Sequence, residues 1–130
     1  MGQQQLLLIV LGIIIIGLSI AVGISVAATS SLQANRDGVL SDLQNLCALA
    51  RQHYIRPAEL GGGGYTFRNF VIPDELDTTG NGTYRVERLS RNGDELRIDA
   101  RGTEIGDDGR ETIRYRIKIR FNEIDLTQRN

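Results

Sequence analysis

The side chains capable of chemistry are few and scattered. Cys47 is the one cysteine and His53 the one histidine. A metal centre draws on several Cys or His ligands, and no second one lies near either residue. A single cysteine excludes an internal disulfide, and Cys47 reads as a small core residue on a helix. Asp77-Thr78-Thr79-Gly80-Asn81-Gly82 begins like a calcium loop, but Arg88 stands where the closing glutamate belongs. Asp107, Asp108 and Glu111 cluster around a turn, where carboxylates are ordinarily hydrated. Asn81-Gly82-Thr83 is a sequon, which makes Asn81 a candidate glycosylation site in an exposed loop. Arg114, Arg116, Lys118 and Arg120 alternate along one strand face. That row suits an anion or nucleic acid or, more simply, a solvated face that answers the carboxylates Glu95 and Asp99 of a neighbouring strand. No nucleophile elbow, phosphate loop or haem attachment pattern occurs. No catalytic set, cofactor site or metal site is therefore expected, and the chain reads as non-enzymatic.

Charge carries more information by its placement than by its sum. Fifteen basic and sixteen acidic residues leave a net charge of −1, which gives no attraction to nucleic acid. Residues 1–35 contain no charged side chain at all, and every charge lies from Arg36 onward. Within that neutral region Leu6 to Ala28 holds no Asn, Gln or Pro. As a helix this run spans about 34 Å at 1.5 Å per residue. A bilayer core is about 30 Å thick, so the run is long enough to cross a membrane. A cleaved secretory signal fits Val26-Ala27-Ala28 as a small-residue site, but Met1–Gln5 lacks Lys or Arg and the apolar run exceeds the usual signal core. A single-span anchor fits the length, with no basic excess on either flank to orient it. The third reading is an assembly helix that sits in a membrane and then packs into a fibre.

Beyond Ala28 the polarity changes but the helical period continues. Leu32, Val39, Leu43, Leu46, Cys47, Ala50 and Tyr54 recur at spacings of one helical face, with Asn35, Arg36 and Asp42 placed off it. The helix is predicted from about residue 4 to Ile55, because Pro57 disfavours helix at Arg56. The four glycines at 61–64 predict a flexible link. From Tyr65 the period becomes 2. Tyr65–Ile72 is a candidate first strand or extended segment, Pro73–Gly82 a loop, and Thr83–Ser90 a strand. Asn92-Gly93 marks a hairpin. Leu96, Ile98 and Ala100 form the inner side of the next strand. Gly106–Gly109 turns the chain into a last strand in which Ile113, Tyr115, Ile117, Ile119 and Phe121 alternate with basic residues. A turn at Asp107-Asp108 sets Asp99 opposite Arg116, Glu95 opposite Arg120, Arg97 opposite Lys118 and Arg101 opposite Arg114. In the first hairpin Leu89 faces Leu96 while Tyr84 and Val86 need the other parity, which a bulge near Glu87-Arg88 repairs. Tyr84 and Val86 join the other strands' apolar residues on an inner face expected to pack on the helix.

The fold class expected is thus α+β: a long N-terminal helix whose C-terminal half packs on a small antiparallel sheet. The segments are an apolar membrane or assembly helix over 1–28, its amphipathic continuation over 29–56, the glycine-rich link over 57–64 and the sheet domain over 65–130.

An uncharged start, an uninterrupted apolar helix, an amphipathic continuation and a C-terminal sheet, in that order, resemble the type IV pilins. These are the subunits of type IV pili, secretion pseudopili and related archaeal-type surface filaments, and the resemblance spans the whole chain. It implies a structural subunit that polymerises into an extracellular filament at the cell surface after a period in the cytoplasmic membrane. The implied partners are many copies of itself, the membrane and the assembly machinery, with no cofactor and no nucleic acid. The implied assembly core is Leu6, Leu7, Leu8, Ile9, Val10, Leu11, Ile13, Ile14, Ile15, Ile16, Leu18 and Ile20. The implied N-terminal polar contact is Met1 with Gln5, and N-terminal processing with methylation belongs to the same pattern. Counted from Met1, Gln5 holds the fifth position, where the family usually has Glu; Gln keeps the hydrogen-bonding capacity without the charge. Counted from a cut after Gly2, the fifth position is Leu7. A minor pseudopilin and a membrane-anchored binding or sensory domain are the alternatives.

Overall fold

The computed structural model describes residues 2–129. One unbroken α-helix, α1, runs Gly2–Ile55. A four-residue helix, α2, covers Asp74–Asp77, and four strands follow: β1 (Gly82–Leu89), β2 (Leu96–Ile105), β3 (Thr112–Ile119) and β4 (Ile124–Gln128). The strands form one antiparallel meander in the order β1-β2-β3-β4. The fold is α+β, a long N-terminal helix with its C-terminal half packed on a four-stranded antiparallel sheet. The chain divides into two compact units, one up to Gln33 and one from Ala34 on.

In the second unit the α1 stripe Val39, Leu43, Leu46, Cys47 and Ala50 is buried against Leu96, Ile98 and Ala100 of β2 and Ile113, Tyr115, Ile117 and Ile119 of β3. These residues are the alternating side of each strand, so a period of 3.6 meets a period of 2 across one apolar layer. The β2–β3 register pairs Asp99 with Arg116, Arg97 with Lys118 and Arg101 with Arg114, as the charge pattern predicts. In the first hairpin Leu89 pairs with Leu96, and the ladder shifts between Val86 and Arg88, where parity requires a bulge.

Four expectations are corrected. Tyr65–Ile72 is not a strand: Tyr65 and Asn69 have φ of 64° and 60°, outside the extended region. The segment instead tucks Phe67 into the core, and the Phe67 amide donates to the Gly93 carbonyl at 2.8 Å. The glycine-rich link is folded rather than loose. Amides of Gly63, Gly64 and Tyr65 donate to the carbonyls of His53, Arg56 and Tyr54, which finish the C-terminus of α1. A Cβ on Gly63 would collide with the Thr66 carbonyl, so this cap demands glycine there. Val86 is partly exposed, because β1 is a sheet edge and the bulge begins directly after it. Phe121 lies beyond the end of β3 and stacks on Tyr54, with centroids 5.0 Å apart. The fourth strand, β4, was not foreseen.

Candidate functional site

The conspicuous surface of the first unit is its apolar rod. From Leu6 to Val26 every large apolar side chain is between 52% and 69% exposed, on all sides of the helix. No residue from Gly2 to Ser31 is buried. Each of the twelve residues expected to form an assembly core stands on this surface, so the helix brings them together as one continuous sleeve. The mean hydropathy of the richest stretch is 3.0, which marks one helix long and apolar enough to cross a membrane. Its backbone and two of its hydroxyls are satisfied internally. The backbone is helical throughout, the Ser19 hydroxyl donates to the Ile15 carbonyl at 2.8 Å, and the Thr29 hydroxyl donates to the Ser25 carbonyl at 3.0 Å. Such a segment meets the requirement for entering a medium without hydrogen-bonding partners. A Cβ on Gly12, Gly17 or Gly23 would meet nothing, so these glycines are shallow notches in the sleeve. Notches of this kind let a second helix approach closely. Gln5 is exposed in the first turns of the helix, and Met1 lies outside the described residues.

The second unit carries the other residues singled out above, most of them engaged in local structure. His53 Nε2 donates to the Arg68 carbonyl at 2.8 Å, and its ring meets Phe70 edge-on. Cys47 is buried; loss of hydration pushes its thiol pKa up despite the opposing field of Arg51, so it stays a neutral thiol. Asp107 pairs with Arg36, and Asp108 accepts the amides of Arg110 and Glu111 at 3.1 and 3.2 Å. Among the described residues no three His, Cys, Asp or Glu side chains converge as a metal site. Three of the four side chains in the basic row meet carboxylates: Arg114 reaches Glu111 at 3.5 Å, Arg116 reaches Asp99 at 3.1 Å and also Glu87, and Arg120, one residue past β3, reaches Glu95 at 2.8 Å. Glu95 is held below its ordinary pKa by hydrogen bonds from Arg97 and Arg120.

Two polar residues of α1 matter more than their off-face placement suggested. Asn35 is buried in line with Val39 and Leu43, not off the apolar face. Its Oδ1 accepts the amides of Thr103 and Glu104 at 3.1 and 3.2 Å, and its Nδ2 donates to the Asn81 carbonyl at 2.8 Å and Thr103 Oγ1 at 3.0 Å. Those amides lie where the β2–β3 ladder shifts register between Arg101 and Ile105. Asn35 thus supplies an acceptor at the break in the sheet. Asp42 Oδ2 accepts from Thr79 Oγ1 at 2.7 Å, Tyr84 OH at 2.7 Å and Asn81 Nδ2 at 3.1 Å. Asn81 is therefore half-buried, with the amide nitrogen that a glycan would take bonded to Asp42.

Comparison with family models, with curated proteins and with solved structures gives no match to this chain. The class is defined by fold and surface alone: an α+β protein with a membrane-length apolar helix at its N-terminal end.

Proposed function

We propose that this chain is a structural subunit of the type IV pilin kind, held in a membrane by its apolar helix and then polymerised into an extracellular filament with the sheet domain outermost. The observation that carries this reading is the sleeve of apolar side chains from Leu6 to Val26, exposed around the whole circumference of the helix. A surface of that kind is stable only in lipid or among similar helices. At roughly 25 cal/mol per Å² its burial makes association effectively permanent. Bundled sister helices can contact all sides of the rod at once, with the sheet domains as a hydrated coat. A membrane-anchored binding domain, alone in the bilayer, is the second reading, and it rests on the same match between rod length and bilayer thickness.

Negative-stain microscopy of shed surface material, with an antibody to the sheet domain, separates the two. The filament reading expects long fibres decorated along their length. It also expects Leu8→Arg or Ile14→Arg to abolish them while the sheet domain keeps its circular-dichroism spectrum. Fibres that survive either charged substitution contradict the reading, as does a protein found only as a membrane monomer.

A further inference from the structure

The helix covers only part of the sheet. Inner-face residues of β2 and β3 are buried, whereas Ile124 and Leu126 of β4, opposite Ile119 and Ile117 on the same face, are 40% and 48% exposed. Four strands at about 4.8 Å spacing are wider than one helix of about 10 Å diameter. The uncovered strip is a groove of about 460 Å³ between the flank of α1 (Leu40, Cys47, Ala48) and β4 (Ile124, Leu126), floored by Ile117.

We propose that this groove takes the apolar rod of a second copy of the chain. The inference rests on the filament reading above and specifies its contact. Charge selects the occupant: Arg51, at one end, is the single charged residue lining the groove. A partner helix laid there must be neutral over about three turns, and this chain's own rod is neutral for its whole length. A helix does not pack on its own continuation, and the rod and one wall of the groove belong to the same unbroken α1, so the rod comes from another molecule. The small Ala48 on the wall and the notches at Gly12, Gly17 and Gly23 on the rod favour close approach. From Leu40 to Arg51 the groove is about 16 Å long, so a half-embedded rod buries about 250 Å² per partner. A stable dimer needs about 800 Å² per partner, so this contact does not hold two molecules alone. It joins unlike surfaces, which propagates without closing and adds to rod–rod packing in a fibre.

A photo-crosslinking residue placed at Ala48, or in a second variant at Leu126, tests this in fibres assembled from the full-length chain. Both positions are exposed, so the domain folds unchanged. After illumination and trypsin digestion, the expected adduct joins the labelled peptide to another copy's N-terminal peptide ending at Arg36. It vanishes when detergent disperses the fibres. An adduct on the second copy's Phe121–Arg129 peptide would mean that β4 edges pair instead, and this overturns the proposal. Intact fibres with no peptide adduct from either position overturn it too. Absence of fibres in the unmodified chain removes the filament reading itself, and the groove assignment with it.

Discussion

Asp42 joins the helix to the sheet domain through one oxygen. Partial burial pushes its pKa up, but hydrogen bonds from Thr79, Tyr84 and Asn81 together outweigh that and hold it below the ordinary aspartate value. A carboxyl lowered in the folded state stabilises fully above its unfolded pKa, near pH 4, and loses that contribution as pH falls through the folded value. Urea unfolding of the full chain, followed from neutral pH to about pH 3, is expected to show this decline. The Asp42→Asn variant should be less stable at neutral pH and flatter below about pH 4. Identical acid slopes in the two proteins would remove Asp42 from the account. Asp42→Ala strands the buried Tyr84 hydroxyl and should lower stability by roughly 1–3 kcal/mol. Partners of Asp42 and Asn35 lie 37 to 69 residues away along the chain, which is why periodicity placed both merely off the apolar face.

At the scale of elements, helix and sheet approach closely at Gly102. A Cβ there would collide with the Ile113 side chain and with Asn35 Oδ1. Gly102→Ala is therefore expected to displace the Asn35 carbonyl from the Thr103 and Glu104 amides and destabilise the domain by about 1–3 kcal/mol. Hydrogen exchange at those two amides should accelerate together; unchanged protection would show that the contact is slack. Much of this architecture was legible beforehand, for stated physical reasons. Pro57 limits α1, alternating charge sets the β2–β3 register, and parity between Leu89 and Tyr84 forces the bulge. What escaped has equally physical causes. β4 contributes only Ile124 and Leu126 to the inner face, too short an alternation to stand out after the turn. Tyr65–Ile72 alternates like a strand, yet two residues with positive φ and the anchoring of Phe67 make it irregular. The glycines at 61–64 signalled freedom, but bonds to the last turn of α1 hold them. The rod was plain from composition. The groove of the sheet unit was not, because it depends on a strand extending past the helix.

At the scale of the molecule, the sheet unit has its own buried core from Val39 to Ile119, while the rod has none. A charge in the rod should therefore affect association and leave the sheet unit folded. The central claim is that sister rods surround one another, and packed helices lie about 8–10 Å apart. A nitroxide attached at Ile14→Cys in a Cys47→Ser background reads that spacing directly. In assembled protein the account predicts a dipole-broadened spectrum that sharpens as unlabelled chain is mixed in before assembly. A sharp spectrum that is indifferent to dilution, with the label relaxed by lipid-dissolved oxygen, would show an isolated rod among acyl chains and contradict it.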